Sequence, residues 1–178
     1  MSNIATAASD KAARLVLMGF DVDGVLTDGT LYFSSQGDEI KAFSSLDGHG
    51  IKMLQRAGVE VAIISGRSSR ALELRAQNLG VKELHMGVED KRALLIQLAA
   101  RRGIELAQTG YMGDDVVDLP ILRVCGFSAT VADAHAEVLA RVDCVATKGG
   151  GHGAAREVCD LIIRAQGKWD AAMAEYLS

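Results

Sequence analysis

The chain predicts an α/β fold of the Rossmann-like kind, a three-layer arrangement with a parallel sheet between helices on both faces. Three observations carry that expectation. Short apolar runs alternate with helix-period stretches along most of the 178 residues. Carboxylates, a hydroxyl and glycines gather where the apolar runs end. A single proline, Pro120, accompanies 19 glycines. The glycines sit mostly at strand ends, so they read as tight turns at a site rather than as linker.

Taken in order, Met1 to Lys11 is small, polar and alanine-rich, with neither the basic nor the apolar region of a signal peptide. Residues 1–12 are therefore expected to be a disordered tail. Leu15–Phe20 reads as a buried strand and runs into Asp21-Val22-Asp23-Gly24-Val25. Side chains at i and i+2 of an extended chain point the same way, so Asp21 and Asp23 face one spot. Two like charges placed together call for a divalent cation, a shared proton, or both.

Residues 29–45 break the alternation. Thr30–Ser34, the turn Gln36-Gly37-Asp38 and the return Glu39–Phe43 predict a protruding β-hairpin. A two-stranded hairpin is marginal alone and asks for a partner surface, such as another subunit.

Further strands are expected at Val59–Ile64, Glu83–Met86, Thr109–Met112, Phe127–Ala129 and Cys144–Val145. Helices are expected at Arg67–Leu79, Asp90–Arg102 and Asp115–Val124. Leu94, Leu95 and Leu98 mark one face of the second, and Gly80 and Gly126 would close the first and third. The segment 148–178 is glycine-rich at its start, then helical, and is expected near the site. No repeat or linker divides the chain, so residues 1–178 form one domain. Alternating β and α elements imply right-handed crossovers and a ligand site outside the carboxyl ends of the strands. That rule gathers Asp21, Ser65 and Asp114 at one edge.

Composition narrows the function classes. The net charge of −4 makes no electrostatic case for nucleic acid or an anionic membrane. No apolar run approaches the ~20 residues of a membrane span. Cys125, Cys144 and Cys159 are scattered and odd in number, which fits neither a disulfide framework nor a zinc site and suits a reducing cytoplasm.

Four signals carry chemistry: Asp21-x-Asp23-Gly24, then Ser65-Gly66-Arg67, then Lys91 at a helix start, then Gly113-Asp114-Asp115-x-x-Asp118. Each alone has an ordinary explanation. Asp-Gly forms turns, Ser-Gly caps helices, Lys91 suits a solvated face, and paired aspartates suit a helix N-terminus. Their joint order at strand ends is what counts against those explanations.

This order resembles the haloacid dehalogenase superfamily of phosphotransferases. The resemblance implies Asp21 as nucleophile, forming an aspartyl-phosphate, and Asp23 as the acid that protonates the leaving oxygen and then the base for water. It implies Mg²⁺ held by Asp21, the Asp23 carbonyl and Asp114, with Asp115 and Asp118 supporting them. Ser65, Gly66 and Lys91 would hold the phosphoryl oxygens. The gaps from Asp28 to Val59 and from Leu79 to Thr109 leave no room for the cap domain of most relatives, so no cap is expected. A signalling receiver domain shares the acidic pair, Mg²⁺ and lysine. Its phospho-accepting aspartate, however, follows a later strand, where this chain has Ser65.

At finer grain the chain is similar to the 3-deoxy-D-manno-octulosonate 8-phosphate phosphatase family. The likeness lies in Phe20–Gly29, Lys41-Ala42-Phe43, Leu46–Ile51, Ser65-Gly66-Arg67, Gly113-Asp114-Asp115, Val131–His135 and Gly149–Leu161. It implies a small sugar-acid phosphate as substrate, a place in lipopolysaccharide inner-core synthesis, and a homotetramer. In that assembly hairpins would pack together and the glycine-rich tail would reach a neighbouring site. Arg67 and Arg75, eight residues apart on one expected helix, suit the substrate carboxylate. Asp47, His49 and His152 are further substrate-binding candidates. Some relatives have arginine where this chain has Leu46 and His152. Asp28 and Asp47 could orient Lys91 or a substrate hydroxyl, or simply form turns.

Overall fold

The computed structural model describes residues 3–177. Six strands form one parallel sheet: β1 (Leu17–Phe20), β4 (Glu60–Ile64), β5 (Glu83–His85), β6 (Thr109–Met112), β7 (Phe127–Thr130) and β8 (Cys144–Val145). Their spatial order is β5-β4-β1-β6-β7-β8. The central β1 pairs Leu17 with Glu60 on one side and Thr109 on the other. Every residue of β1, β6 and β7 is buried, the uniform pattern expected of strands covered on both faces.

The expected sheet strands all form: Thr109–Met112 and Cys144–Val145 with the expected bounds, the other four within two residues of them. Helices flank the sheet. α2 (Ser45–Arg56) packs along α7 (Ala154–Ala165), and α4 (Lys91–Arg102) packs on α5 (Leu119–Leu122). α7 buries Ala154, Ala155, Val158, Cys159, Ile162 and Ile163, a helix-period stripe facing the core. α3 (Arg70–Leu79) ends on left-handed Gly80, as the sequence predicts. α6 (Ala136–Leu139) and α8 (Trp169–Leu177) complete the helices.

Several expectations need correction. Within residues 1–12, read as disordered, Asn3–Ala12 form α1. Ala8 and Ala12 are buried in the core, and Lys11 pairs with Asp143 at 2.6 Å. Small residues that read as an unstructured tail are what close packing against α7 requires. Residues 1 and 2 lie outside the described residues. The Asp115–Val124 segment is a 3₁₀ turn (Val116–Asp118) followed by the four-residue α5, with Pro120 at its start. Gly126 does not cap it. Gly126 is glycine because a Cβ there would lie 2.2 Å from the Ala107 carbonyl oxygen.

The hairpin forms with strands of only two residues, β2 (Tyr32–Phe33) and β3 (Glu39–Ile40). It leaves Leu31, Tyr32, Phe33 and Ile40 exposed.

Candidate active site

Asp21 continues β1, its N–H donating to the Met112 carbonyl at 2.9 Å. The chain then turns sharply, with Val25, Leu26 and Thr27 all donating to the Val22 carbonyl. Gly24 sits at the turn with φ +89°. A Cβ there would lie 2.1 Å from Asp114 Oδ2, so only glycine lets the β6 carboxylate approach this loop.

Three carboxylates meet at the sheet edge. One oxygen from each of Asp21, Asp114 and Asp118 falls within 4.8 Å of the others. Lys91, the first residue of α4, reaches in from the side. Its ammonium lies 2.7 Å from Asp21 Oδ2 and 2.8 Å from Asp118 Oδ1. Asp21, Lys91 and Asp118 are all buried. Three carboxylates against one ammonium leave two negative charges uncompensated in a low-dielectric pocket. Burial, reinforced by Asp118, pushes the Asp21 carboxyl up to about 8 even though Lys91 opposes the shift. Burial, with Asp118 and Asp115 adding repulsion, pushes Asp114 up to about 7. Burial opposes the charge on Lys91, but Asp21 and Asp118 overcome it and hold the lysine's proton above its ordinary range.

The oxygens divide by occupation. Asp118 accepts from Lys91, from the Tyr111 hydroxyl at 3.3 Å and from the Asp114 N–H at 3.1 Å. It is a bracket that fixes its neighbours. Asp114 Oδ1, in contrast, is buried with no hydrogen-bond partner among the described residues. An orphaned carboxylate oxygen beside excess negative charge fits a hard divalent cation. Asp21, Asp114 and Asp118 are the clustered carboxylates that could hold it, and Asp114 Oδ1 is the one left without a partner. Asp115 turns outward and caps the 3₁₀ turn, accepting from Val116 N–H at 2.7 Å.

Ser65 ends β4 and is buried, with its Oγ accepting from Arg67 N–H at 3.1 Å. Ser65 and Gly66 thus sit at the same sheet edge as Asp21. Arg67 lies before α3 rather than on it, which removes the eight-residue helical relation expected with Arg75. Arg67 instead faces Asp23, Nε to Oδ2 at 3.7 Å, and donates to Glu39 at 3.0 Å. Arg75 is engaged elsewhere. It donates to the Ser44 carbonyl at 2.8 Å and lies over the Phe43 ring.

Asp47 neither reaches Lys91 nor forms a turn. Buried in α2, it accepts from Gly153 N–H at 3.2 Å and Arg156 N–H at 2.9 Å, capping the start of α7. Burial raises its carboxyl despite those two bonds. His49 packs edge-on against the Tyr176 ring. The His152 ring nitrogen lies 2.6 Å from the Gly150 carbonyl, so this ring shapes its own loop. That loop rests on the Asp21 loop of the same chain. Gly151 N–H donates to the Val25 carbonyl at 3.0 Å, and a Cβ on Gly150 would lie 2.0 Å from the Gly24 carbonyl oxygen.

Sequence reasoning missed two side chains. Lys41 donates to Asp23 Oδ1 and lies 2.6 Å from Glu39. The signal was available: Glu39 and Lys41 flank Ile40, and alternation puts both on the face opposite that exposed side chain.

A buried carboxylate nucleophile candidate, a lysine bridging two aspartates and an orphaned ligand oxygen define a phosphoryl-transfer site on an α/β sheet. The sequence comparison agrees, since residues 85–158 match the family model of haloacid dehalogenase-like hydrolases. The chain is 41% identical to the 3-deoxy-D-manno-octulosonate 8-phosphate phosphatase of Salmonella typhi, over 95% of this chain and 90% of that one. A solved structure of a probable phosphatase from Pseudomonas syringae superposes with a TM-score of 0.95 at 46% identity, covering 97% of this chain and 98% of that one. The Moraxella catarrhalis 3-deoxy-D-manno-octulosonate 8-phosphate phosphatase, solved with magnesium, phosphate and KDO, superposes with a TM-score of 0.93 at 41% identity, covering 95% and 97%. The chain belongs to the 3-deoxy-D-manno-octulosonate 8-phosphate phosphatase family of haloacid dehalogenase-like hydrolases.

Proposed function

We propose that this chain hydrolyses 3-deoxy-D-manno-octulosonate 8-phosphate to the free sugar acid and phosphate, with Mg²⁺ as cofactor. The observation that carries the reading is the buried Asp21–Lys91–Asp118 bridge beside the orphaned Asp114 oxygen. Family membership supplies the substrate.

The family likeness gives each residue a part, and its position at the sheet edge supports that part. Asp21 attacks phosphorus, forming the aspartyl-phosphate as the bond to the sugar oxygen breaks. Asp23 donates a proton to that departing oxygen, then takes one from the water that hydrolyses the intermediate. Lys91, with the Ser65 hydroxyl and the Gly66 amide, holds phosphoryl oxygens whose repulsion would otherwise keep the carboxylate away. Bound by Asp21, Asp114 and the Asp23 carbonyl, Mg²⁺ supplies charge neutralisation and orients the phosphoryl group. Arg67, exposed at the mouth, is suited to the substrate's carboxylate.

The product serves lipopolysaccharide inner-core synthesis, and the scattered free cysteines support a cytoplasmic location. The exposed apolar hairpin and the family likeness support a homotetramer.

The test is phosphate release from 3-deoxy-D-manno-octulosonate 8-phosphate beside other sugar phosphates, with and without Mg²⁺. Mg²⁺-dependent preference for that ester is expected, and Asp21→Asn should lower turnover by more than ~10³-fold. Stable phosphorylation of the chain without turnover would instead make it a receiver-like switch.

A further inference from the structure

The hairpin has a second role besides presenting an apolar arm. Its return strand carries Glu39 and Lys41 back to the site, where they close a ring of alternating charge with Asp23 and Arg67. Lys41 donates to Asp23 Oδ1 and lies 2.6 Å from Glu39 Oε1. Arg67 donates to Glu39 Oε2 at 3.0 Å and sits 3.7 Å from Asp23 Oδ2. The Lys41 side chain is 2% exposed. A solvated surface lysine would leave its ammonium in water, since its long flexible stem costs rotamer entropy to fix. Burying this ammonium is tolerable only because two carboxylates meet it.

We propose that Lys41 is a positioning residue for Asp23, delivered by the hairpin and held in place by Glu39. The inference rests on reading Asp23 as the group that protonates the leaving oxygen. A carboxyl that must meet an oxygen at hydrogen-bond distance depends on its rotamer, and small misplacement costs much of its effect. Asp23 lies within the turn after β1, directly before Gly24, and a side chain there without a fixed partner has several staggered rotamers open to it. Cations from two different elements, the hairpin exit and the β4–α3 loop, remove that choice. The hairpin thus supplies the fixed partner that orders the proton donor.

The leaving group provides the test. A sugar or simple alkyl phosphate needs a proton as its oxygen departs, whereas p-nitrophenolate is a weak base that leaves without one. Comparison of kcat/KM for the two esters, which reports steps up to leaving-group departure, isolates proton donation from phosphate binding. Asp23→Asn should lower kcat/KM for the alkyl ester far more than for p-nitrophenyl phosphate. If it does not, the reading of Asp23 fails, whatever Lys41 does. With that split in hand, Lys41→Met should reproduce it. The alkyl ester should lose roughly 10- to 100-fold, within the ~10²–10⁴ range of a general acid, and the aryl ester less than ~3-fold. Lys41→Met added to Asp23→Asn should cost little further, because the residue it positions is already gone. Equal losses on both esters, or additive losses in the double variant, would overturn the proposal. Should Lys41→Met not fold, Glu39→Gln keeps the lysine and loosens one of its anchors. It should show the same split at smaller size, and its absence there would overturn the proposal equally.

Discussion

At the residue scale, Asp21 at about 8 and Asp114 at about 7 stand well above the ordinary carboxyl range, each chiefly through burial. In the unfolded chain both titrate near ~4. From there up to neutrality and just beyond, the unfolded chain has released protons that the metal-free native state still holds. Stability must therefore fall as pH rises through that window, and the full penalty is in place above the native values. Mg²⁺ competes with those protons, so its stabilisation should grow over the same range. Thermal denaturation of chelator-treated protein should give a lower midpoint at pH 8 than at pH 5. Added Mg²⁺ should raise the midpoint most at pH 8, and Asp114→Asn should flatten that dependence. A Mg²⁺ increment that does not change with pH would remove these carboxyls as its ligands. Among the site residues, Lys91 and Asp114 announced themselves through their places after β5 and β6. Glu39 and Lys41 offered only the alternation about Ile40, because a hairpin charge has no visible partner until the hairpin is folded back.

At the element scale, the glycine-rich loop and α7 are structural before they are anything else. α7 buries a stripe of six residues, so cutting the chain at Gly149 would remove part of the core along with any lid. Asp47 ties the start of that helix to α2 through two backbone N–H groups. Asp47→Ala leaves both donors uncapped, one buried and one partly buried. A loss of ~1–3 kcal/mol is expected in denaturant titration, with Mg²⁺ affinity unchanged because Asp47 is not among the clustered carboxylates. A neutral effect on stability would deny the capping role. The sequence shows an Asp-Gly pair at this position and so suggests a turn. Only the packing of α2 along α7 turns that aspartate into a cap for a helix more than a hundred residues later.

At the scale of the whole molecule, Leu31, Tyr32, Phe33 and Ile40 remain exposed on the hairpin while its base is anchored at the site. A contiguous apolar arm of this kind suits burial against further copies of the chain. Replacing Phe33 and Ile40 together by glutamate should reduce the mass measured by light scattering, because the charges would have to be buried at the interface. An unchanged mass would place assembly elsewhere. Because Lys41 leaves the same strand, the double variant should also lower activity toward the sugar phosphate if assembly steadies the hairpin.

By itself the sequence determined the parallel sheet, its strands and the edge at which Asp21, Ser65 and Asp114 collect. Those features rest on local periodicity and on the rule that strand ends share an edge, and both are written in short stretches of chain. It also carried the family likeness, through motifs such as Ser65-Gly66-Arg67 and Gly113-Asp114-Asp115. Tertiary structure alone decided that residues 3–12 are helical, that Arg75 and Asp47 serve the frame, and that Lys41 meets Asp23. These outcomes depend on which groups lose water together when distant segments pack. Alanines become core only where another helix covers them, and a charge acquires its role only from the partner that burial forces upon it.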